Sequence, residues 1–359
     1  MDSFHHKEDF RTKYEIVGKP IGYGNFTKVY KGKNKNNGEE RAIKVIDLYG
    51  IQNTYEKSEV NPKEKFNEYI NNLLKEIKIM RTCGENNNNS VIFYESFETE
   101  AEFAIVMELC DDCLTKYKKD KTFNSEEIKD ILKQLNNTFK IMIDNKIAHR
   151  DLKPDNILIK NENGNRIIKL SDYGISKIEK FTHLKTNIGT DFYMAPEIMT
   201  DSNEFYSNKC DLWSLGIIIY ELCFKKRPYL GETQNAILTQ INQAGKRNFE
   251  KTGDEKLDDL ISQLLEKNPD KRISWDDYFN HRFFGKEIKI IHNENENKID
   301  IVGEINDISE MFHDCPNLKN VTLLYKKNSK IEKKLKLFVD KTKCKIITED
   351  EKIKNIFNL

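Results

Sequence analysis

The sequence contains no long hydrophobic run. Its longest apolar stretch, 215–224, falls far short of the ~20 residues that a membrane-spanning helix requires, and it matches a buried core helix instead. The opening residues are polar and acidic, which predicts no secretory leader, and Asp2 stands where N-myristoylation requires glycine. We therefore expect no membrane insertion and a cytoplasmic location, with a nuclear location left open.

The sequence also lacks net charge, since Lys+Arg and Asp+Glu both number 59. This balance provides no general attraction to nucleic acid or to a membrane surface, so neither is an expected partner. Cysteine is scarce, and the seven residues are odd in number and widely scattered, which indicates free thiols in a reducing compartment. With 38% hydrophobic residues among 359, the chain can bury one or two full cores.

A cluster of chemically active side chains lies at 149–156. Transfer of a phosphoryl group to a hydroxyl needs a carboxylate that accepts the proton, a cation near the migrating group and an amide oxygen that holds magnesium. Asp151, Lys153 and Asn156 supply these groups in that order. The segment resembles the catalytic loop of eukaryotic protein kinases. With a lysine two residues after the aspartate, it resembles the loop of the serine/threonine branch in particular.

Upstream, a glycine-containing segment resembles the phosphate-covering hairpin of that family. Gly22 and Gly24 lie between two strand-like stretches, 14–21 and 28–31. Glycine lets backbone N–H groups approach a phosphate closely because no Cβ stands in the way. The third glycine of the family pattern is replaced by Thr27. A Gly-x-Gly pair alone is also typical of an ordinary turn, so the phosphate interpretation depends on the neighbouring strand.

The next predicted strand, 41–46, carries a candidate phosphate ligand. Its alternating pattern puts Ala42 and Lys44 on one face. By the resemblance, Ala42 and Val29 pack against adenine, and Lys44 binds the α- and β-phosphates. A lysine in this role is held by a glutamate on a helix in active kinases.

Glu76 is the candidate partner of Lys44. It lies in a stretch, 66–80, whose apolar residues have helical spacing. Glu68 is a weaker alternative, and a solvated glutamate beside lysines is the other interpretation of Glu76. The segment 48–62 is polar and lengthens the connection from Lys44 beyond the usual family distance, so we expect an inserted surface loop.

Two further predicted strands, 91–97 and 103–109, lead to the segment that resembles the kinase hinge. By the resemblance, Met107 is the gatekeeper residue, and the backbone of residues Glu108, Leu109 and Cys110 contacts adenine. Ile21 and Leu158 complete the predicted nucleotide site. Cys110 and Cys113 also have the spacing of a metal or redox pair, but a structural zinc site needs four ligands and no second close pair is present.

A predicted hairpin, 157–160 and 167–170, delivers Asp172 as the second magnesium ligand beside Asn156. Tyr173 stands where the family usually has phenylalanine, so its hydroxyl needs a partner. Its ring belongs to a stacked apolar set that resembles the spine of active kinases: Met80, Phe93, His149 and Tyr173.

The segment 189–197 resembles the kinase substrate-docking segment. In the serine/threonine branch, the hydroxyl at Thr190 bridges the catalytic aspartate and lysine. Glu197 is expected to pair with Arg272, and 211–216 resembles the buried helix that supports the catalytic loop.

An arginine before the catalytic aspartate, here Arg150, is typical of kinases whose activation segment is ordered by phosphorylation. Thr182 and Thr186 are available in that segment, and Thr186 is the better placed. We expect an upstream kinase to phosphorylate Thr186. The alternative is an ordinary solvated threonine.

Residues 285–359 lie beyond the resemblance. They are rich in lysine, asparagine, isoleucine and glutamate, with strand-like stretches at 288–291, 298–302, 321–325 and 345–348 and helical stretches at 307–315 and 329–343. One face of the second helical stretch is apolar and suggests a protein partner. The stretch 308–318 faintly resembles a single leucine-rich repeat of the surface-antigen type, and a single copy builds no solenoid.

The motifs together imply an α+β, two-lobed protein kinase fold. We expect an N-terminal extension at 1–13, a small β-rich lobe at 14–109, a large mainly helical lobe at 110–284 and a small α/β appendage at 285–359. The implied function is transfer of the ATP γ-phosphoryl group, with magnesium, to a serine or threonine of a protein substrate.

Two other function classes stay open. A pseudokinase that scaffolds partners would account for the departures at Thr27 and Tyr173, although neither removes a group that the chemistry requires. A small-molecule kinase is disfavoured because 189–197 resembles a complete peptide-docking surface.

Overall fold

The computed structural model describes residues 4–58, 60–173, 191–200, 207–243 and 249–285, together with four strand backbones between 289 and 347. The chain divides into two compact units, Met1–Phe279 and Asn280–Leu359. No helix within these described ranges combines the length and apolar character needed to cross a bilayer.

The first unit begins with a six-stranded sheet in the order β1-β5-β6-β4-β3-β2. Its strands are β1 (His5–His6), β2 (Tyr14–Gly24), β3 (Thr27–Asn34), β4 (Glu40–Asp47), β5 (Phe93–Glu98) and β6 (Glu102–Met107). The strands predicted around the glycine hairpin, Lys44 and the hinge are therefore present. All neighbouring pairs are antiparallel except β1, which runs parallel to β5.

The N-terminal segment ahead of β2 contributes the short strand β1 to this sheet. The backbone of β1 extends the edge at β5, and the Ser96 amide donates to the Phe4 carbonyl at 2.8 Å. Phe10 is buried in the sheet core against Tyr14 and Phe97. Burial of this aromatic ring anchors the segment to the small lobe.

The predicted surface loop at 48–62 is wrong. Residues Leu48–Ser58 form helix α1, and Pro62–Gly84 form helix α2. Leu48, Ile51 and Tyr55 are buried, and their spacing of three and four residues is that of one helix face. Because α1 packs against α2, burial of this apolar face outweighs the polar residues that suggested a loop.

The larger part of the first unit is mainly helical. Its elements are β7 (Asp112–Cys113), α3 (Leu114–Tyr117), α4 (Ser125–Asp144), β8 (Ile157–Glu162), β9 (Asn165–Leu170), α5 (Pro196–Met199), α6 (Lys209–Phe224), α7 (Gln234–Gln243), α8 (Glu255–Leu264) and α9 (Trp275–Phe279). Helix α4 starts with a capping box in which Asn124 and Glu127 exchange hydrogen bonds at 2.9 and 3.1 Å. The apolar run predicted to form a core helix is the second half of α6, which is buried almost throughout.

In the second unit, the described backbone forms a four-stranded sheet in the order β10-β11-β12-β13. These strands are β10 (Lys289–Asn293), β11 (Lys298–Val302), β12 (Asn320–Leu324) and β13 (Lys345–Ile347). β10 is antiparallel to β11, and the other pairs are parallel. The predicted strands are therefore present to within two residues. The predicted helices at 307–315 and 329–343 lie outside the described residues.

Candidate active site

The catalytic-loop side chains converge on one carboxylate. The Asn156 amide Nδ2 donates to the backbone oxygen of Asp151 at 2.8 Å and to its Oδ2 at 3.0 Å. Lys153 Nζ lies 3.0 Å from the same Oδ2. Asp151 is buried. Because the lysine and the amide both approach this carboxylate, its orientation is fixed before any substrate arrives.

Helix α6 holds this loop from below through Asp211. Its buried carboxylate accepts the amides of His149 and Arg150 at 2.7 and 2.8 Å. Burial raises the pKa of Asp211, and the charges and amides of His149 and Arg150 oppose that rise. Arg150 has a positive φ of 63°, a strained conformation for a non-glycine residue that these hydrogen bonds stabilise.

Across the cleft, Lys44 contacts two carboxylates from different elements. Its Nζ lies 3.3 Å from Glu76 of α2 and 2.6 Å from Asp172. Burial alone lowers the pKa of Lys44, but Asp172 and Glu76 together raise it above its ordinary value. The ammonium is therefore charged at neutral pH.

Asn156 and Asp172 fit a magnesium ion by donor type. The Asn156 Nδ2 is engaged with Asp151, so its amide oxygen is directed away from that residue. Asp172 follows β9 with a φ of 55°, and its side chain is 40% exposed. Oxygen donors from an amide and a carboxylate are those that magnesium prefers while keeping water and phosphate ligands. The described residues contain no alternative cluster of three or more His, Cys, Asp or Glu side chains for a metal.

The hydroxyl of Tyr173 has the partner that its position required. It lies 2.6 Å from the Ser90 Oγ, and both residues are buried. The Tyr173 ring packs against His149 with 5.5 Å between ring centroids. Since the His149 Nε2 contacts the Ser171 carbonyl at 2.9 Å, and a carbonyl only accepts, Nε2 carries the proton in this arrangement.

The predicted nucleotide residues lie on five strands: β2, β3, β4, β6 and β8. Ala42 pairs with Met107 across β4 and β6, both buried, and Val29 pairs with Lys44 across β3 and β4. Leu158 lies on β8, whereas Ile21 on β2 is 52% exposed.

The hinge leaves two backbone groups without a partner among the described residues, the Glu108 carbonyl and the Cys110 amide. A carbonyl and an amide spaced in this way match the donor and acceptor edge of adenine. Burial raises the pKa of the Cys110 thiol to about 12, so this cysteine is neutral and Cys110 contributes backbone rather than thiolate chemistry.

The glycine hairpin closes over a tight turn. Gly24 pairs with Thr27, and Phe26 in the turn has a φ of 54°. A Cβ at Gly22 or Gly24 would come no closer than 3.4 Å to its neighbours, so the protein interior does not require glycine there. This freedom agrees with a role in approaching a ligand rather than in packing.

The predicted pair of Glu197 and Arg272 is present. The two guanidinium Nη atoms donate to the two carboxylate oxygens at 2.6 and 2.9 Å. Thr190, Thr182 and Thr186 lie outside the described residues, so their predicted roles stay predictions.

One residue near this site was absent from the sequence interpretation. Lys169 on β9 is fully buried and contacts Glu108 at 3.0 Å. A single lysine between Ile168 and Leu170 in an apolar strand was the available signal, because buried lysines require a partner.

Comparison with known proteins identifies the family of this chain. The model of the protein kinase domain matches residues 15–284. The serine/threonine-protein kinase atg1 of Dictyostelium discoideum is 34% identical, over 75% of this chain and 39% of its own length. The human serine/threonine-protein kinase Nek5 is 33% identical, over 73% of this chain and 35% of its own length. The chain thus spans less than half of either relative.

A solved structure, Rad53 1-466 in complex with AMP-PNP, superposes with a TM-score of 0.59 at 23% identity, over 77% of this chain and 66% of that one. It supports the fold alone. The predicted kinase fold and the predicted resemblance to the serine/threonine branch are confirmed. The chain belongs to the protein kinase family.

Proposed function

We propose that the chain is a serine/threonine protein kinase that transfers the ATP γ-phosphoryl group to a protein hydroxyl. The observation that carries this proposal is the pair of charge clusters in one unit, Asp151 with Lys153 and Asn156, and Lys44 with Glu76 and Asp172. The family's chemistry depends on positioning and charge stabilisation, and these groups supply both.

Asp151 orients the substrate hydroxyl and accepts its proton. Its carboxylate is held by Lys153 and Asn156, which supports a fixed approach for the hydroxyl. Lys153 neutralises charge on the γ-phosphate. Thr190 joins Asp151 and Lys153 in the serine/threonine pattern.

Lys44 binds the α- and β-phosphates while Glu76 keeps its ammonium in the cleft. Adenine lies between Ala42, Val29, Ile21 and Leu158 and reads the backbone of the hinge beside Met107. Asn156 and Asp172 are the residues that hold magnesium, which supplies neutralisation of phosphate charge when bound.

Activity is regulated through the activation segment. Arg150, exposed beside the catalytic aspartate, is available to a phosphate on Thr186, which an upstream kinase adds. Phosphopeptide mapping of active enzyme tests this, and an unmodified Thr186 in fully active enzyme would count against it.

The organisation that goes with this function is a kinase domain at 14–284 and an appendage at 285–359 that binds a protein partner. The cytoplasm is the proposed location. The expected partners do not include nucleic acid.

Transfer of radiolabelled phosphate from ATP to a generic protein substrate, followed by phosphoamino-acid analysis, tests the proposal. We expect labelled phosphoserine or phosphothreonine. Nucleotide binding without transfer, by enzyme already phosphorylated on Thr186, would favour the pseudokinase alternative. Labelled phosphotyrosine alone would contradict the substrate class.

A further inference from the structure

The hinge is held by two lysines of the β8–β9 hairpin, Lys160 and Lys169, which have no role in the proposed phosphoryl transfer. Lys169 of β9 lies directly opposite Leu158 of β8 and has 0% exposure. A fully buried ammonium is costly unless it is paired and hydrogen-bonded. Its Nζ contacts the Glu108 carboxylate at 3.0 Å and the Asn88 amide oxygen at 3.0 Å.

The Glu108 side chain thus faces Lys169, and its backbone is fixed as well. The Glu108 amide donates to the Ile92 carbonyl at 2.8 Å, and its carboxylate accepts from the Ile92 amide at 3.4 Å. Ile92, just before β5, holds the backbone of Glu108, and Lys169 of β9 holds its carboxylate. Its carbonyl has no hydrogen-bond partner in the described part of the chain, so it can accept from a ligand.

A second lysine of the same hairpin fixes the next peptide. Lys160 Nζ donates to the Leu109 carbonyl at 2.6 Å. In a trans peptide the C=O and the following N–H point in opposite directions. The lysine on the Leu109 oxygen therefore determines where the Cys110 N–H points, and it opposes a flip of that peptide.

The hairpin also anchors the end of the hinge. The Asp111 amide donates to the Ile159 carbonyl at 2.9 Å, and the Asp111 carboxylate accepts from the Asn161 amide at 2.7 Å. Three of the four residues from Glu108 to Asp111 are thus hydrogen-bonded to β8 or ion-paired to β9.

We propose that Lys160 and Lys169 are positioning residues that set the preference of this site for adenine over guanine nucleotides. Adenine presents an amine donor beside a ring-nitrogen acceptor, whereas guanine presents an oxygen acceptor beside an N–H donor. When the hinge is fixed, the Glu108 carbonyl and the Cys110 amide pair with the donor and acceptor of adenine. The oxygen acceptor and N–H donor of guanine are then left without partners. Unmatched buried polar groups are what give strong discrimination.

This inference rests on the proposed nucleotide function, so the experiment separates the two. ATP and GTP are titrated directly into the full chain, and KM and kcat are measured with each nucleotide. In the K160M variant, we expect the KM for ATP to rise about tenfold with kcat within about threefold, and the ATP-to-GTP preference to fall. K160R retains a donor and is expected to keep most of the wild-type preference.

Lys169 needs a paired design because K169M leaves the Glu108 carboxylate buried and unpaired. The double variant E108Q/K169M removes both charges, so it is expected to fold and yet to lose preference for ATP. The exposed Lys133 of α4 gives the matched control K133M, which should behave as wild type.

Two results overturn the inference. In the first, wild type binds ATP, and both K160M and E108Q/K169M keep the full ATP-to-GTP preference. This result contradicts the positioning role and leaves the proposed function intact. Wild type that binds neither nucleotide contradicts the proposed function and the inference with it.

Discussion

Two charge clusters of the kinase unit, one around Lys44 in the cleft and one around Arg272 beneath the predicted substrate segment, differ in how many of their N–H donors are used. In the cleft, Lys44 contacts Glu76 and Asp172, and within the described residues these contacts leave one of its three N–H donors available. Beneath the substrate segment, every N–H of Arg272 has an acceptor: both Glu197 oxygens and the carbonyls of Lys209, Glu266 and Lys267.

Under the proposed function, this difference separates charges that act in phosphoryl transfer from charges that stabilise the fold. An ammonium with an available donor and a half-exposed partner can exchange that partner for a phosphate. A guanidinium whose five donors are all satisfied has nothing to offer a ligand, and breaking it leaves buried groups unpaired. We therefore expect variants of the first cluster to change turnover and variants of the second to change stability.

Among variants of these two clusters, the largest effect is expected for K44M. Removing the ammonium leaves Glu76 and Asp172 without their shared cation and the phosphates without a ligand, so turnover should fall at least ~100-fold. The measurement is radiolabelled phosphate transfer alongside thermal unfolding of the same preparations. If K44M unfolds at a lower temperature than wild type yet transfers phosphate normally when folded, Lys44 acts in stability and not in turnover.

The next effect is expected for R272M. Loss of one partner of a buried, fully hydrogen-bonded pair should lower the free energy of unfolding by about 3–5 kcal/mol. Urea titration measures it, with K271M at the neighbouring exposed lysine as the control. Equal urea midpoints for R272M and K271M would remove the distinction between the two clusters.

A smaller effect is expected for Y173F, because it removes a single buried hydroxyl beside the catalytic loop. Burial raises the pKa of Tyr173 well above its ordinary value, so the hydroxyl is neutral and acts as a hydrogen-bond partner of Ser90 and Cys83. Unfolding should become easier by about 1 kcal/mol, with transfer close to wild type. A large loss of transfer would assign Tyr173 to the chemistry.

The smallest effect concerns Glu95, which contacts Lys13 at 2.7 Å and His6 at 3.0 Å and accepts from the Tyr14 hydroxyl at 2.5 Å. Burial alone raises its pKa, but Lys13, Tyr14 and His6 outweigh burial and lower it below its ordinary value of 4.5. Its stabilisation is therefore complete above that value and is lost as pH falls through the lower folded-state pKa.

The E95Q variant should be slightly less stable than wild type at neutral pH, and the difference should shrink as the solution is acidified. Paired urea titrations at neutral and acidic pH measure it. A difference that grows on acidification would contradict the sign of the shift. Transfer at neutral pH should be unchanged, as for other structural charges.

The sequence predicted those parts of the molecule that short local patterns determine. The segment 151–156 and the strand bearing Lys44 are recognised from closely spaced residues, and the strands of the C-terminal unit are recognised from alternating apolar residues. The parts that it could not predict depend on distant partners. The pairing of β1 with β5 joins segments about ninety residues apart. The resemblance at 211–216 predicted a helix that supports the catalytic loop, but it did not predict which backbone amides the Asp211 carboxylate accepts.

The sequence failed to predict the helix at 48–58 for a different reason. Its apolar face consists of widely spaced residues within a polar segment, and this face is buried through tertiary packing against α2 and β6. Lys160 was missed because it contacts a backbone carbonyl of the hinge, which carries no signal in side-chain identity. Lys169 gave a signal as a lysine between two apolar residues, but its partner Glu108 lies far away in the sequence.

The most direct test of the proposed chemistry is the D151N variant, because it alters the proton acceptor and leaves the nucleotide contacts in place. Asparagine keeps the shape of the side chain and removes its charge. We predict unchanged ATP binding by direct titration together with nearly abolished phosphate transfer to a protein serine or threonine. Transfer at the wild-type rate by D151N would contradict the central claim.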